Sequence, residues 1–374
     1  MSKNAVSLEF ISYFEEATDP RQHSKVLYPL SEIFLLVLCA VVCGANDWTS
    51  IALYGQKKLS ALRRFLPFEH GTPSHDQLGI LFARLDTEQF QQCFSQWATS
   101  INQSLGGVIA IDGKALRRSY DASNSKSAVH IVSAWACEAE LTLAQQQVDE
   151  KSNEITAIPK LLALLEIKGA IVTLDAMGCQ RSICQQIVEG QADYVIGLKG
   201  NQGTLRQDVE LFFREHEERQ IAEGFIKQTQ SVDADHGRLE TRTCIVCNDV
   251  DWLTKRHQWP GLKAIVEVQA TRQIGDKIER SRRYYISSKI DTPENMAKYI
   301  REHWHIENKL HWVLDVNFGS DNSRIRSGNA AVNMTTMQQA AMALLKKAPG
   351  KKSMPMKRHS AAWDDYYLEA IIRS

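Results

Sequence analysis

The chain has no surplus of charge: 44 Lys and Arg face 44 Asp and Glu across 374 residues. A basic balance is the usual footprint of a nucleic-acid binder, so its absence counts against the simplest form of that class. A neutral total can still conceal patches. Arg272 to Lys289 holds six basic residues against two acids, and Lys346 to Arg358 holds six against none. A run of this kind is ordinarily a solvated face. Cysteine is scarce, eight in so long a chain, which excludes a disulfide scaffold and fits a reducing, cytoplasmic setting. Cys244 and Cys247 would sit on opposite faces of a strand, with Ile245 and Val246 between them, a poor knuckle for zinc. No apolar run reaches the ~20 residues that a bilayer span requires. The longest, Ile33 to Ala45, predicts a buried helix, and the acids of MSKNAVSLEFISYFEE leave no apolar core for a signal peptide.

What remains is an ordinary globular composition, 44% hydrophobic and 24% charged, long enough for two domains or three. The first hundred residues read as helical. Pro29 sits where a helix would start, Asp47 can cap a second, Ser74-x-x-Gln77 has the form of a capping box, and Asp86 or Thr87 can cap a helix carrying Phe90, Phe94 and Trp97. The character changes near Leu105-Gly106-Gly107. Val108 to Asp112, Val129 to Ala136 and Leu141 to Asp149 read as strands, followed by an amphipathic helix from Glu154 to Leu165. Ala170 to Ala176 is a strand, about 180 to 189 a helix, and DYVIGLKG another strand. This succession predicts a mixed α/β sheet, in the order expected of a ribonuclease-H-like core, although another mixed sheet fits the pattern too. After a charged helix from Thr204 to Ile221, the pieces RLETRTCIVC, AIVEVQATR and RRYYISS predict a β-rich insertion over about 204–290. A last helical block starts near Pro293 and runs through IREHWHIENKLHWVLDVNF to Lys347. The expected division is a helical domain over 1–104, an α/β domain over 105–347 and a basic C-terminal tail over 348–374.

Chemistry concentrates in three acids. Asp112 and Asp175 each end a buried apolar strand, where an ionised carboxylate needs compensation. Either one alone reads equally well as a turn cap. Two at matching strand ends suggest one site, because ligands gather at the carboxyl ends of strands in α/β sheets. Close carboxylates repel unless they share a proton or a cation, and Mg²⁺ takes one or two carboxylates together with substrate phosphates. A third acid is expected from the late helix, where Glu307 lies four residues from both His303 and His311, on one face. Trp304 and Trp312 read as core on an adjoining stripe. The histidines are eight apart with the Glu in a ligand position, which does not follow the HExxH spacing of zinc hydrolases.

At these residues the sequence resembles the DDE transposases of the insertion-sequence group that includes the H-repeat-associated proteins of Rhs elements. The matching runs are AIDGKALRRS, VHIVSAW, KSNEITAIPKLLALLEIKGAIVTLDAMGCQ, DYVIGLKGNQ, HGRLETR and HWHIENKLHWVLDVNF, with DPR (Asp19 to Arg21) and GTPSHD (Gly71 to Asp76) in the helical leader. The resemblance implies a ribonuclease-H-like fold in which Asp112, Asp175 and Glu307 hold two Mg²⁺, with Mn²⁺ as a substitute. It further implies cutting of element ends and joining of the freed 3′-hydroxyl to target DNA, by a homodimer on paired terminal inverted repeats. Lys114, Arg117, Lys199 and Arg324 are then candidates for phosphate contacts, and Asn201, Gln202 and His303 for DNA contacts. The leader would recognise the ends. The chain departs from the group at His303, where an Arg is common, at Leu314, where a Lys is common, and at Ser320, where the group tends to Glu. Two alternatives are a catalytically decayed DNA-binding relative and a nuclease of the same fold that performs no strand transfer.

Overall fold

A computed structural model describes residues 9–102, 106–120, 127–149, 152–219, 226–235 and 238–374. Residues 103–105, where the helical leader was expected to end, lie outside them, as do Lys151 of the KSNEI run and His236 and Gly237 of HGRLETR. Nine strands make one sheet: β1 (Gly107–Ala115), β2 (His130–Ala136), β3 (Leu141–Gln147), β4 (Ala170–Leu174), β5 (Asp193–Leu198), β6 (Ile226–Asp235), β7 (Arg238–Cys247), β8 (Ala264–Ile274) and β9 (Lys277–Ser287). Their order is β3-β2-β1-β4-β5-β9-β8-β7-β6. β1, β4 and β5 run parallel, whereas β2 and β3 continue antiparallel from β1, and β9 pairs antiparallel with β5. The parallel centre is covered on both faces, so Val108–Ile111, Ala170–Leu174 and Tyr194–Ile196 are buried without alternation. The Pro293–His303 helix lies against β1, β4 and β7, while the Glu154–Leu162 helix packs against β2 and β3.

The expected insertion is a set of long antiparallel strands that extends this same sheet. β6 was not anticipated: IKQTQSVDAD carries too few apolar residues to announce a strand, and it forms the outer edge, paired on one side only. Cys244 and Cys247 are buried in β7, and all eight cysteines are free.

The helical part behaves as its caps predict. Asp47 accepts from the Ser50 amide, Ser74 and Gln77 form a reciprocal capping box, and Asp86 accepts from the Gln89 amide. The apolar run becomes the Leu30–Val42 helix, buried on all sides from Glu32 onward. Among the described residues no helix is long and apolar enough to cross a membrane. What covers the Leu30–Val42 helix comes partly from the far end of the chain. The Ala330–Lys347 helix packs along it, and two short helices, Met354–Trp363 and Asp365–Ile372, close over the remainder. The residues expected to form a basic tail are thus folded onto the leader. Lys58 pairs with Asp365 at 2.8 Å, Arg64 pairs with Glu369, and Leu368 and Ile371 are buried.

Arg358 is the centre of that junction. Its guanidinium donates to the Val41 carbonyl at 2.8 Å, to Asn46 Oδ1 at 2.8 Å and to the Asn317 carbonyl, and it stacks over Phe318. Truncation would remove hydrogen bonds to one buried and two half-buried acceptors. We expect Arg358→Ala to lower the unfolding free energy by about 3 kcal/mol. A denaturant midpoint within error of the parent would exclude that role.

Candidate metal centre

The parallel register of β1 and β4 pairs Ile111 with Leu174, so the next residues, Asp112 and Asp175, end neighbouring strands side by side. Asp112 keeps its carboxylate in the sheet mouth, with 18% side-chain exposure. Asp175 turns onto its own loop, where Oδ1 accepts from the Met177 amide at 2.8 Å and the Gly178 amide at 3.3 Å. Asn201 and Gln202, expected at a DNA-facing loop, direct their amide groups at this same loop. They donate to the Ala176 and Cys179 carbonyls at 2.6 and 2.8 Å. Lys199 beside them is exposed.

The third acid arrives on a helix that is not a plain α-helix. A six-residue π-helical stretch, Ile306–His311, separates the Pro293–His303 helix from the Trp312–Phe318 helix, and the Trp312 amide reaches back to the Glu307 carbonyl. Such π-turns recur at functional sites, and no residue pattern marked this one beforehand. Three stripes result. Ile306, Leu310, Leu314 and Phe318 are buried, so the departure at Leu314 is a core residue. Glu307, His311 and Asp315 face the sheet mouth. Trp304, Trp312 and Val316 are exposed at 47%, 58% and 60%. The tryptophans are therefore not core, because the aliphatic stripe fills the inward positions they were expected to take.

Asp112, Glu307 and His311 place one ligand atom each within 4.8 Å of one another. His311 Nδ1 lies 3.2 Å from Glu307 Oε2 and 3.7 Å from Asp112 Oδ2. Facing two carboxylates, Nδ1 carries the proton and donates. Nε2 is buried and has no hydrogen-bond partner among the described residues. Burial, followed by the hydrogen bond and repulsion from Glu307, pushes the Asp112 carboxyl up to about 8. The hydrogen bond from His311 holds Glu307 below its usual range. Two carboxylates and an imidazole, with Asp112 half-buried, Glu307 exposed and His311 buried, fit a divalent ion, and the carboxylate oxygens would be its first donors. Sequence spacing treated the two histidines alike, but the structure separates them. His303 is half-buried against β4, its Nδ1 3.1 Å from Thr173 Oγ1, and desolvation holds its imidazole pKa down.

Lys114 is engaged by Asp315 at 2.6 Å and by Asp321 at 3.5 Å, and Arg117 reaches Asp321 at 3.3 Å. Ser320, at the remaining departure, is buried and donates to Gln338. Behind Asp112, Gly113 has no room for a side chain. A Cβ there would meet Glu154 Oε1 at 2.1 Å and His130 Nε2 at 2.5 Å, two atoms that pair with each other at 2.8 Å. Sequence reasoning missed this pair, and the glycine next to the strand-end acid was the available signal for a close approach.

Two acids thus end neighbouring parallel strands, and a third, from a later helix, meets one of them. The chain belongs to the DDE transposase family: the Transposase DDE domain matches residues 103–345, and the DDE_Tnp_1-associated family matches residues 11–98. It is 42% identical to "Uncharacterized protein in dhlA 3'region" of Xanthobacter autotrophicus, over 75% of this chain and 95% of that one. It is 40% identical to the H repeat-associated protein YhhI of Escherichia coli (strain K12), over 95% of each chain. Among solved structures it resembles a piggyBac transposase synaptic complex with hairpin DNA, at 11% identity and a TM-score of 0.45. That match covers 100% of this chain and 79% of that one, and the likeness is too slight to define a fold.

Asp112 takes up a proton more readily folded than unfolded, so its stabilising contribution is complete below 3.8 and is lost as pH rises through about 8. Glu307 has the opposite sign, and its contribution changes only below 4.5. In chelator-treated protein, stability should decline between about pH 5 and 8. Asp112→Asn should flatten that decline and melt at higher temperature than the parent at pH 8. An Asn variant melting lower there would contradict the repulsion.

Proposed function

We propose that the chain is a divalent-metal-dependent DNA transposase with a ribonuclease-H-like catalytic core, in which Asp112, Asp175 and Glu307 are the catalytic carboxylates. The observation that carries this is the convergence of Asp112 and Glu307 beside the strand end of Asp175, in a chain of the DDE transposase family. The strand order β3-β2-β1-β4-β5, with β2 antiparallel to its neighbours, supports the core assignment.

Asp112 and Glu307 would hold the metal first, and Asp175 would join by releasing the Met177 and Gly178 amides. Bound there, Mg²⁺ or Mn²⁺ supplies charge stabilisation to the attacking and leaving oxygens of an in-line phosphodiester displacement. Water attack at an element end forms one P–O bond and breaks the P–O3′ bond, leaving a 5′-phosphate and a 3′-hydroxyl. Attack of that hydroxyl on a target phosphodiester then forms the joint and releases a target 3′-hydroxyl. His311 orients Glu307 through Nδ1–H, and the buried stripe beneath fixes the helix that carries both. Lys114, Arg117, Lys199 and Arg324 supply phosphate contacts, while His303, against Thr173, keeps the helix at the distance that β4 requires. Cutting two ends together calls for a homodimer on paired inverted repeats.

Asp112→Asn, Asp175→Asn and Glu307→Gln should each reduce Mg²⁺-dependent cleavage of the flanking inverted repeats at least a hundredfold, on the order of a lost electrostatic catalytic group, while DNA binding persists. Mn²⁺ should restore part of the Glu307→Gln activity, because it tolerates carbonyl ligands. Asp321→Asn should keep measurable activity. The reverse pattern, with Asp321 essential and Glu307 dispensable, would move the third acid off the helix. Cleavage without joined product would reassign the chain as a nuclease, and no cleavage with any divalent ion as a DNA-binding relative.

A further inference from the structure

An open groove of about 610 Å³ lies between the leader helices and the segment that leaves the carboxylate site. One wall is the His75–Arg84 helix with the start of the Trp48–Lys57 helix, and the other is formed by Arg324 to Ser327. The second wall is locked to the first. Gly328, with φ +47°, comes so close that a Cβ would meet the Ala83 carbonyl at 2.4 Å. The Asn329 amide donates to Ala83 O at 3.1 Å, and the Asn329 and Asn333 side chains donate to Leu85 O and Phe82 O at 2.9 and 3.0 Å. The carbonyls at the end of the His75–Arg84 helix are therefore occupied rather than presented to the groove.

Ile325 is buried and anchors the segment, leaving Arg324 and Arg326 on its other side. Arg84 projects from the facing helix. Arg84 and Arg324 are exposed and have no carboxylate partner among the described residues. Arg326 donates to the Arg118 carbonyl at 3.3 Å and lies over the Tyr120 ring at 5.5 Å, joining the groove to the exposed Arg117 and Arg118. Beyond them, Lys114 stands next to the carboxylates. Of the groove's two acids, Asp47 is engaged in capping Ser50, and Asp76 is exposed, 3.4 Å from the His75 imidazole. A chain of zero net charge thus carries a row of basic side chains, from Lys114 and Arg117, which pair with Asp315 and Asp321, to Arg84 and Arg324 against the leader.

We propose that this groove grips the phosphodiester backbone of the DNA duplex that flanks the cut site. The inference rests on the cleavage function proposed above and names the surface by which the leader helices share in it. Arginine forks match phosphate oxygens in bidentate geometry, and each neutralised phosphate releases counterions. Groove binding is therefore readable in the salt dependence of affinity.

The test titrates labelled duplex carrying the chain's flanking inverted repeat with full-length protein, by anisotropy, across a range of KCl concentrations. R84Q/R324Q should bind roughly tenfold more weakly at low salt and lose about two from the slope of log affinity against log salt. R84K/R324K should recover that slope. Lys168→Gln, an exposed change in the turn before β4 at the opposite end of the sheet, should match the parent. Thermal melts should be unchanged, since neither arginine has a carboxylate partner to lose. Mg²⁺-dependent nicking of the same duplex by the parent protein, measured alongside, separates this proposal from the catalytic one. A double Gln variant with the parent's slope and affinity overturns the groove and leaves the catalytic reading standing. A parent protein that neither binds nor nicks duplex overturns both.

Discussion

Everything at the site depends on the parallel pairing of β1 with β4. Because Ile111 aligns with Leu174, two acids must emerge from adjacent buried strands within one interstrand spacing, ~4.8 Å. That placement is costly for any chain without a compensating charge. In the structure described, the two acids differ. Asp175 caps its own loop through the Met177 amide, and burial beside Glu307 raises the Asp112 carboxyl. A fold that needed only stability would have placed neutral residues at these two ends, and the family to which the chain belongs gives a reason for the acids.

The third contributor depends on a break in helical regularity. One extra residue per turn over Ile306–His311 lets the aliphatic stripe stay in the core while Glu307 and His311 are presented together. It also accounts for the two unusual residues that flank Glu307. His303 falls behind the π-turn and packs on Thr173, whereas Leu314 falls on the buried stripe. A long basic chain at 314 would have no route to solvent, and a guanidinium at 303 would meet the face of β4. These two residues fit this chain's packing rather than interrupting it.

Strand ends, caps and the buried first helix were legible because each leaves a local mark: an apolar run closing on an acid, Ser74 with Gln77, or Asp47 ahead of Trp48. The features that escaped are those with no local mark. β6 is polar because only one of its edges is paired, and the π-turn is spelled with ordinary helix formers. The exposure of Trp304 and Trp312 follows from which stripe the sheet accepts, a tertiary decision. Likewise, Glu154 and His130 meet behind Gly113 across more than one element, and a lone glycine in an apolar strand did not name the groups that approach it.

The closure of the helical part by the last twenty residues has a consequence for how the protein is made. The Leu30–Val42 helix leaves the ribosome well before part of its cover, which includes Arg358, 317 positions after Val41, and Leu368 and Ile371 beyond it. During elongation this apolar rod packs on its early neighbours but cannot reach these later ones, so the growing chain carries an exposed adhesive surface until they are made. A product lacking Arg358, Leu368 and Ile371 would thus retain Asp112, Asp175 and Glu307 while leaving part of this helix uncovered.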